Sequence, residues 1–445
     1  MYTLIIYLYR LGVMTASLFN EKVRKMWHGE RAAFSVLKQK VDPTARYIWF
    51  HAASLGEFEQ GRPIIEQLRR EHPEYKILLT FFSPSGYEVR KNYEGADIIC
   101  YLPLDTPRNA RRFLRLVRPC MAFFIKYEFW YNYLHILKHR GVPTYSVSSI
   151  FRPGQVFFRW YGRQYGRVLK CFTRFFVQNE VSRELLESIG ITNVDVTGDT
   201  RFDRVLQIMK QAKVLPIVEE FVGKASPVFV AGSSWQPDEE IFLKYFREHP
   251  EWKLIIAPHV ISEDHLLQIE TLCGKENVVR YTQVENNSLT PHPSPLTSHP
   301  SPLTSHPSPL TPHPSPLTPH PSPLTSKKML LIDCFGLLSS IYRYADVAYV
   351  GGGFGVGIHN LPEAAVWGVP VFFGPNNERF QEAQDLKQNG GGIEIHSYDD
   401  FATHMDDLTS HPAECKERGD VAALYVEGRA GATEAILKKV SSAFC

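Results

Sequence analysis

A net charge of either sign is what this sequence has least of. Lys and Arg number 49 and Asp and Glu 47, a formal net charge of +2. With no dominant basic block, that balance argues against a general nucleic-acid binder. Cysteine is scarce as well. The seven cysteines are scattered, with no CxxC pair and no metal-ligand spacing, so a zinc site or disulfide framework is disfavoured and a reducing compartment fits. No GxGxxG turn opens the first βα unit, which disfavours a dinucleotide site. No DxD-type metal motif stands out at a strand end.

Long hydrophobic runs are missing too, with one exception. MYTLIIYLYRLGVMTASLF opens the chain, apolar and aromatic but for Arg10. Its length approaches the ~20 residues that span a bilayer, although a central Arg is costly there. Lys22, Arg24 and Lys25 follow the run, whereas a signal peptide carries its charge ahead of it. That order favours a cytoplasmic body behind a short membrane anchor or interface helix over residues 1–28. A helix packed on the protein itself is the competing reading.

What is present is an α/β rhythm. YIWFH, KILLT, DIICY, MAFFI, TYSVSS, RFFVQN and VDVTG read as strands separated by turns and helical patterns. After a bridge over 204–224 the rhythm restarts with VFVAGS, KLIIAP, NVVRYT, MLLID, DVAYVGG, VPVFFG and GIEIH. Two α/β units in tandem, 29–203 and 225–445, follow from it, each with a parallel sheet covered on both faces. Residues 291–325 belong to neither rhythm. They are five copies of a seven-residue unit, PHPSPLT or SHPSPLT, whose Pro and Ser density predicts an extended, disordered surface insertion. Its histidines (His292, His299, His306, His313 and His320) offer no preformed metal site at that spacing.

Ligands of open parallel sheets gather at the C-terminal ends of the strands. Small residues and isolated charges collect at such positions in both halves, which predicts a cleft between two domains. GGGFGVGIHNLPE, Gly351 to Glu363, carries five glycines directly after a strand. A helix starting near Asn360 would aim free N–H groups at a phosphate, with Glu363 placed for ribose hydroxyls. Tight strand–helix packing explains the same glycines. In HAASLGE, Glu57 sits where a strand hands over to a helix. An acidic residue in a first helical turn is stabilised by the macrodipole by ~0.3–1 kcal/mol, so a cap explains it. The same position suits a general base if an acceptor hydroxyl can reach it.

HAASLGE, KYEFWYN, GDTRFD, APH, DCFGLL–SIYRYADVAYVGGGF and GIHNLPEAAVWGVPVFFGP stand in one order. That series resembles the Kdo transferases, which add 3-deoxy-D-manno-octulosonic acid (Kdo) to the lipid A precursor. The resemblance runs from the N-terminus to about residue 395, the repeat excepted. It implies a GT-B glycosyltransferase, two Rossmann-like domains facing an interdomain cleft, with the acceptor on the first and the nucleotide sugar on the second. It further implies an inverting transfer from CMP-Kdo at the cytoplasmic face of the bacterial inner membrane, with no metal and no cofactor beyond that donor. Glu57 matches the family's general base. Glu128 and Arg201 match residues that support the transition state. Pro258, His259, Phe335, Gly336, Leu337, Asn360, Leu361, Pro362 and Glu363 match the CMP-binding stretches.

The sequence departs from the commoner pattern at several of these positions. His259 replaces Arg, Arg201 replaces Lys, Asp199 replaces Asn, Leu337 replaces Glu and Tyr131 replaces Pro. FFRWYGRQYGR, Phe157 to Arg167, supplies aromatics and arginines suited to a headgroup layer, or a buried aromatic stripe with a solvated basic face. Two other functions fit parts of the pattern: a GT-B transferase or epimerase using a UDP-sugar, and a membrane-associated binding protein that has lost the reaction.

Overall fold

The computed structural model describes residues 2–223, 226–289 and 324–444. The repeat therefore lies outside the described residues, apart from Leu324 and Thr325. The chain divides into two compact units, Met1–Gln207 with Glu427–Cys445, and Ile208–Val426.

In the first unit the seven expected strands all form. They are Tyr47–Ala52 (β1), Lys76–Phe81 (β2), Ile98–Tyr101 (β3), Met121–Ile125 (β4), Thr144–Ser149 (β5), Arg174–Val177 (β6) and Val194–Val196 (β7). They pair in parallel in the order β3-β2-β1-β4-β5-β6-β7. The reversal of strand order beside β1 is the doubly wound arrangement. Side chains alternate across a strand, and β1 divides accordingly. Tyr47 and Trp49 enter one apolar cluster with Phe113, Phe124 and Tyr133. Ile48 and Phe50 enter the other with Ile64, Phe123 and Val147. Both faces are covered, which is why the strand reads as an unbroken apolar run.

The second unit repeats the plan. Val228–Ser234 (β8), Lys253–Pro258 (β9), Val278–Arg280 (β10), Met329–Leu331 (β11), Val347–Val350 (β12), Val371–Phe373 (β13) and Gly392–Glu394 (β14) form a second parallel sheet. Its order is β10-β11-β9-β8-β12-β13-β14. The strand entered after the repeat, β11, thus slots between β10 and β9.

Two boundaries differ from the sequence reading. The second domain was expected to run to residue 445, yet Glu427–Cys445 joins the first unit. Helix Ala432–Val440 drives Ile436, Leu437 and Val440 into the cluster around Phe50. Asp203 fixes its start, accepting from the backbone N–H groups of Gly431 and Thr433. At the other end, the apolar segment is two helices rather than one ending near residue 28. Tyr2–Ala16 (α1) stops before Asn20, whose side chain accepts from the Val23 N–H and caps Glu21–Lys40 (α2).

Candidate active site

Helix Leu55–Glu71 (α3) begins right after β1, and Glu57 closes its first turn. Glu57 Oε2 accepts from the Ser54 backbone N–H at 2.7 Å and from the Ser54 hydroxyl at 2.9 Å. Glu57 is therefore a helix cap, as the macrodipole argument allowed. Only one oxygen is used so. Oε1 has no protein partner among the described residues, and the side chain is half-buried rather than sealed.

One turn further along, Gln60 is buried and donates to Asp199 Oδ1 at 2.8 Å. Asp199 also accepts from Arg201, through the backbone N–H at 2.9 Å and Nε at 2.8 Å. Burial works to raise the Asp199 carboxyl, but the Arg201 charge, these hydrogen bonds and Lys126 outweigh it and hold it below the usual range. Thr200, at the start of helix Thr200–Lys210, bonds the Ser148 hydroxyl at 2.9 Å and the Gln60 carbonyl at 2.6 Å. Tyr127, following β4, lies in the field of Arg152, Asp199, Glu57 and Arg201, and its hydroxyl is raised chiefly by burial. The C-terminal ends of β1, β4, β5 and β7 thus bring Glu57, Tyr127 and Arg201 into one electrostatic neighbourhood.

Glu128 follows in the same loop. Its Oε2 accepts from Trp130 Nε1 at 2.6 Å and bonds His51 Nε2 at 3.0 Å. Two residues at this end of the sheet hold left-handed backbone, Lys126 at φ 58° and Ser148 at φ 51°. Such non-glycine conformations cost ~1–3 kcal/mol and gather at functional sites. Ser148 also marks a bulge, where the β5–β6 register shifts between Val147 and Ser149.

The nucleotide-side residues all fall in the second unit, Pro258 as the last residue of β9 and the others after β9, β11 and β12. His259 stacks on Trp235 with ring centroids 4.7 Å apart, and His359 stacks on His259 at 4.4 Å. Trp235 Nε1 donates to His359 Nε2 at 3.3 Å. Burial, and then the neighbouring His259, pull His359 down to about 4. Burial lowers His259 as well, so both rings are neutral at pH 7. Phe335 is 81% exposed and Gly336 takes φ 91°, beside Leu337 at the head of a short helix. Asn360 donates to Glu363 Oε1 at 2.7 Å, and Ser339 to Oε2 at 3.2 Å. The Asn360 Oδ1 is buried without a hydrogen-bond partner.

Here the structure corrects the sequence reading. The helix expected from Asn360 is the four-residue turn Pro362–Ala365, too short to build a macrodipole. Glu363 is already engaged by Asn360 and Ser339. Two of the glycines answer to packing. A Cβ on Gly351 would meet the Ser233 carbonyl, and one on Gly353 would meet the Gly374 backbone. Tyr127, Gln60, Trp235 and His359 escaped the sequence reading as site residues. For Tyr127 and Trp235 the position just past a strand end was the available signal.

Two parallel doubly wound sheets, each with polar residues gathered at its strand ends, define the class by architecture as the GT-B fold. Within that class the resemblance to the Kdo transferases is borne out. Residues 27–204 match the family described as 3-deoxy-D-manno-octulosonic-acid transferase (kdotransferase). The chain is 26% identical over 377 residues to the 3-deoxy-D-manno-octulosonic acid transferase of Aquifex aeolicus, covering 83% of this chain and 88% of that protein. Its counterpart from Bordetella pertussis is 27% identical over 421 residues, covering 89% and 87%. Among solved structures, the UDP-GlcNAc 2-epimerase of Neisseria meningitidis superposes with a TM-score of 0.59 at 14% identity, covering 89% of this chain and all of that one. Acinetobacter baumannii MurG gives 0.53 at 10% identity, covering 89% and 99%. These two likenesses speak to the fold alone.

Proposed function

We propose that this protein transfers Kdo from CMP-Kdo to a hydroxyl of the lipid A precursor, with inversion, releasing CMP. The observation that carries the reading is Glu57. Ser54 holds one of its oxygens, the other is unclaimed, and it stands in the electrostatic neighbourhood of Tyr127 and Arg201 within the segment matching the Kdo transferase family. In this scheme Glu57 Oε1 takes the proton of the acceptor hydroxyl as that oxygen attacks the anomeric carbon. The bond from that carbon to the CMP phosphate oxygen breaks, and CMP leaves with the electron pair. Arg201 and Glu128 support the charge redistribution from the same loops. The Trp235–His259–His359 stack and the Asn360–Glu363 pair serve the nucleotide, with His259 in its neutral form.

The acceptor is lipid-linked, so we place the reaction at a membrane surface, the cytoplasmic face of the bacterial inner membrane. Among the described residues no helix is long and apolar enough to cross a membrane. Attachment in this reading is therefore interfacial, through the exposed apolar side of α1.

CMP release from CMP-Kdo with a tetraacylated lipid A precursor tests the proposal. The wild type turns over, and Glu57→Gln falls at least ~100-fold, the lower end for loss of a general base. A wild type that ignores CMP-Kdo but binds UDP in a nucleotide panel returns the protein to the UDP-sugar enzymes.

A further inference from the structure

Glu128 ends a hydrogen-bonded chain that begins inside the sheet. Trp49 Nε1 donates to the Thr80 hydroxyl at 2.8 Å. Thr80 Oγ1 lies 2.9 Å from His51 Nδ1, and His51 Nε2 lies 3.0 Å from Glu128 Oε2. Trp49, Thr80 and His51 are all fully buried. Two strands and a loop contribute to the chain, because β1 carries Trp49 and His51, β2 carries Thr80, and the loop after β4 carries Glu128.

Donor counting gives the chain a direction. A carboxylate offers no proton, so His51 Nε2 donates to Glu128. In the neutral imidazole Nδ1 then receives, and the Thr80 hydroxyl, supplied in turn by the Trp49 N–H, is the donor within reach. The competing contacts, Thr80 Oγ1 to the Phe50 carbonyl and His51 Nδ1 to the Thr80 carbonyl, are both longer at 3.2 Å. The Trp130 N–H lands on the same Glu128 oxygen as His51. Two N–H groups thus pin Oε2, and Oε1 has no protein partner among the described residues.

We propose that His51 is a positioning residue for Glu128. Through the Nε2–H fixed by Thr80, it holds one carboxylate oxygen of Glu128 so that the other is presented to the reacting sugar. The inference rests on the transfer reaction proposed above. Its physical basis is that an active-site group held by locked neighbours avoids reorganisation when the transition state forms.

The test uses the full chain and reads both chemistry and tautomer. His51→Asn keeps a polar partner for Thr80 but stops short of Glu128, whereas His51→Gln places an amide near the Nε2 position. Asn is expected to lower kcat for CMP release about 10- to 100-fold, with KM for CMP-Kdo within about twofold, and Gln to restore most of the loss. In a Glu128→Gln background the Asn substitution costs nothing further, as residues acting through one contact require. A wild-type kcat in His51→Asn overturns the inference, as does a loss undiminished in the Glu128→Gln background. Nitrogen-15 shifts of the His51 imidazole stand apart from turnover. A proton on Nε2 is expected, and a proton on Nδ1 alone overturns the positioning role. Absence of CMP release by the wild type would instead sink the transfer reading, leaving the imidazole spectrum to judge His51.

Discussion

At Arg201 the sequence departs from the commoner Lys, and two positions earlier Asp199 replaces Asn. The structure joins these departures, with the Arg201 Nε 2.8 Å from Asp199 Oδ2. The pairing seats the guanidinium beside a buried carboxylate, and the proposed reaction assigns its charge to the departing phosphate. Replacing Arg201 alone would strand a buried carboxylate and confuse stability with catalysis. In an Asp199→Asn background, Arg201→Gln is therefore expected to lower kcat about 10²–10³-fold with an unchanged melting temperature, the scale of losing one oxyanion donor. Steady-state CMP release with a parallel thermal melt checks it. The placement of Glu57, Glu128 and Arg201 in the segments that follow β1, β4 and β7 was legible at this scale, whereas the roles proposed for Glu128 and Arg201 came from the resemblance alone. The left-handed Lys126 and Ser148 were not legible. The positive φ at Ser148 goes with the strand bulge, and at neither residue does it leave a mark in composition.

Among the elements, α2 carries a titratable group with no evident structural use. Glu30 is 6% exposed and one of its oxygens is buried without a partner. Burial pushes its carboxyl up to about 8 from an ordinary 4.5, against the Leu104 backbone hydrogen bond and Arg10, which pull it down. Between these values the unfolded chain gives up the proton while the folded one keeps it, so stability falls as pH rises from 4.5 to 8 and is level above. Glu30→Gln removes that dependence. Its melting temperature is expected to match the wild type near pH 4.5 and to exceed it increasingly up to pH 8, as measured by calorimetry across that range. On α1, Leu4, Leu8 and Leu11 form an exposed stripe, Leu8 being 61% exposed. In the interfacial reading they enter the headgroup layer. Wild type is then expected to float with anionic phospholipid vesicles, and Leu4→Asp with Leu8→Asp to stay in the bottom fraction. The sequence read residues 1–28 as one helix, because the apolar run continues past the end of α1 at Ala16 and hides that stop. Phe157 and Trp160 divide the two readings of the aromatic stretch, the first buried in the core and the second exposed.

For the molecule as a whole, all fourteen strands could be read from short apolar runs, and the parallel pairing followed from helical patterns between them. The return of Glu427–Cys445 to the first unit could not be read. Ile436, Leu437 and Val440 are ordinary core residues of a helix, and nothing in a helical period says which sheet it covers. Each such side chain contributes about 1.5–3 kcal/mol on burial, against a typical domain stability of roughly 5–15 kcal/mol. Deleting 427–445 is expected to abolish the cooperative unfolding transition of the first unit while that of the second survives, seen as the loss of one of two calorimetric peaks. The same arrangement also orders events on the ribosome. Residues 208–426 emerge in full before the helix that seals the first sheet has been made, so the second unit is free to fold while its elder neighbour waits with one flank bare. A chaperone that shields nascent chains would find its longest-lived target there, around Phe50, Phe123 and Tyr145.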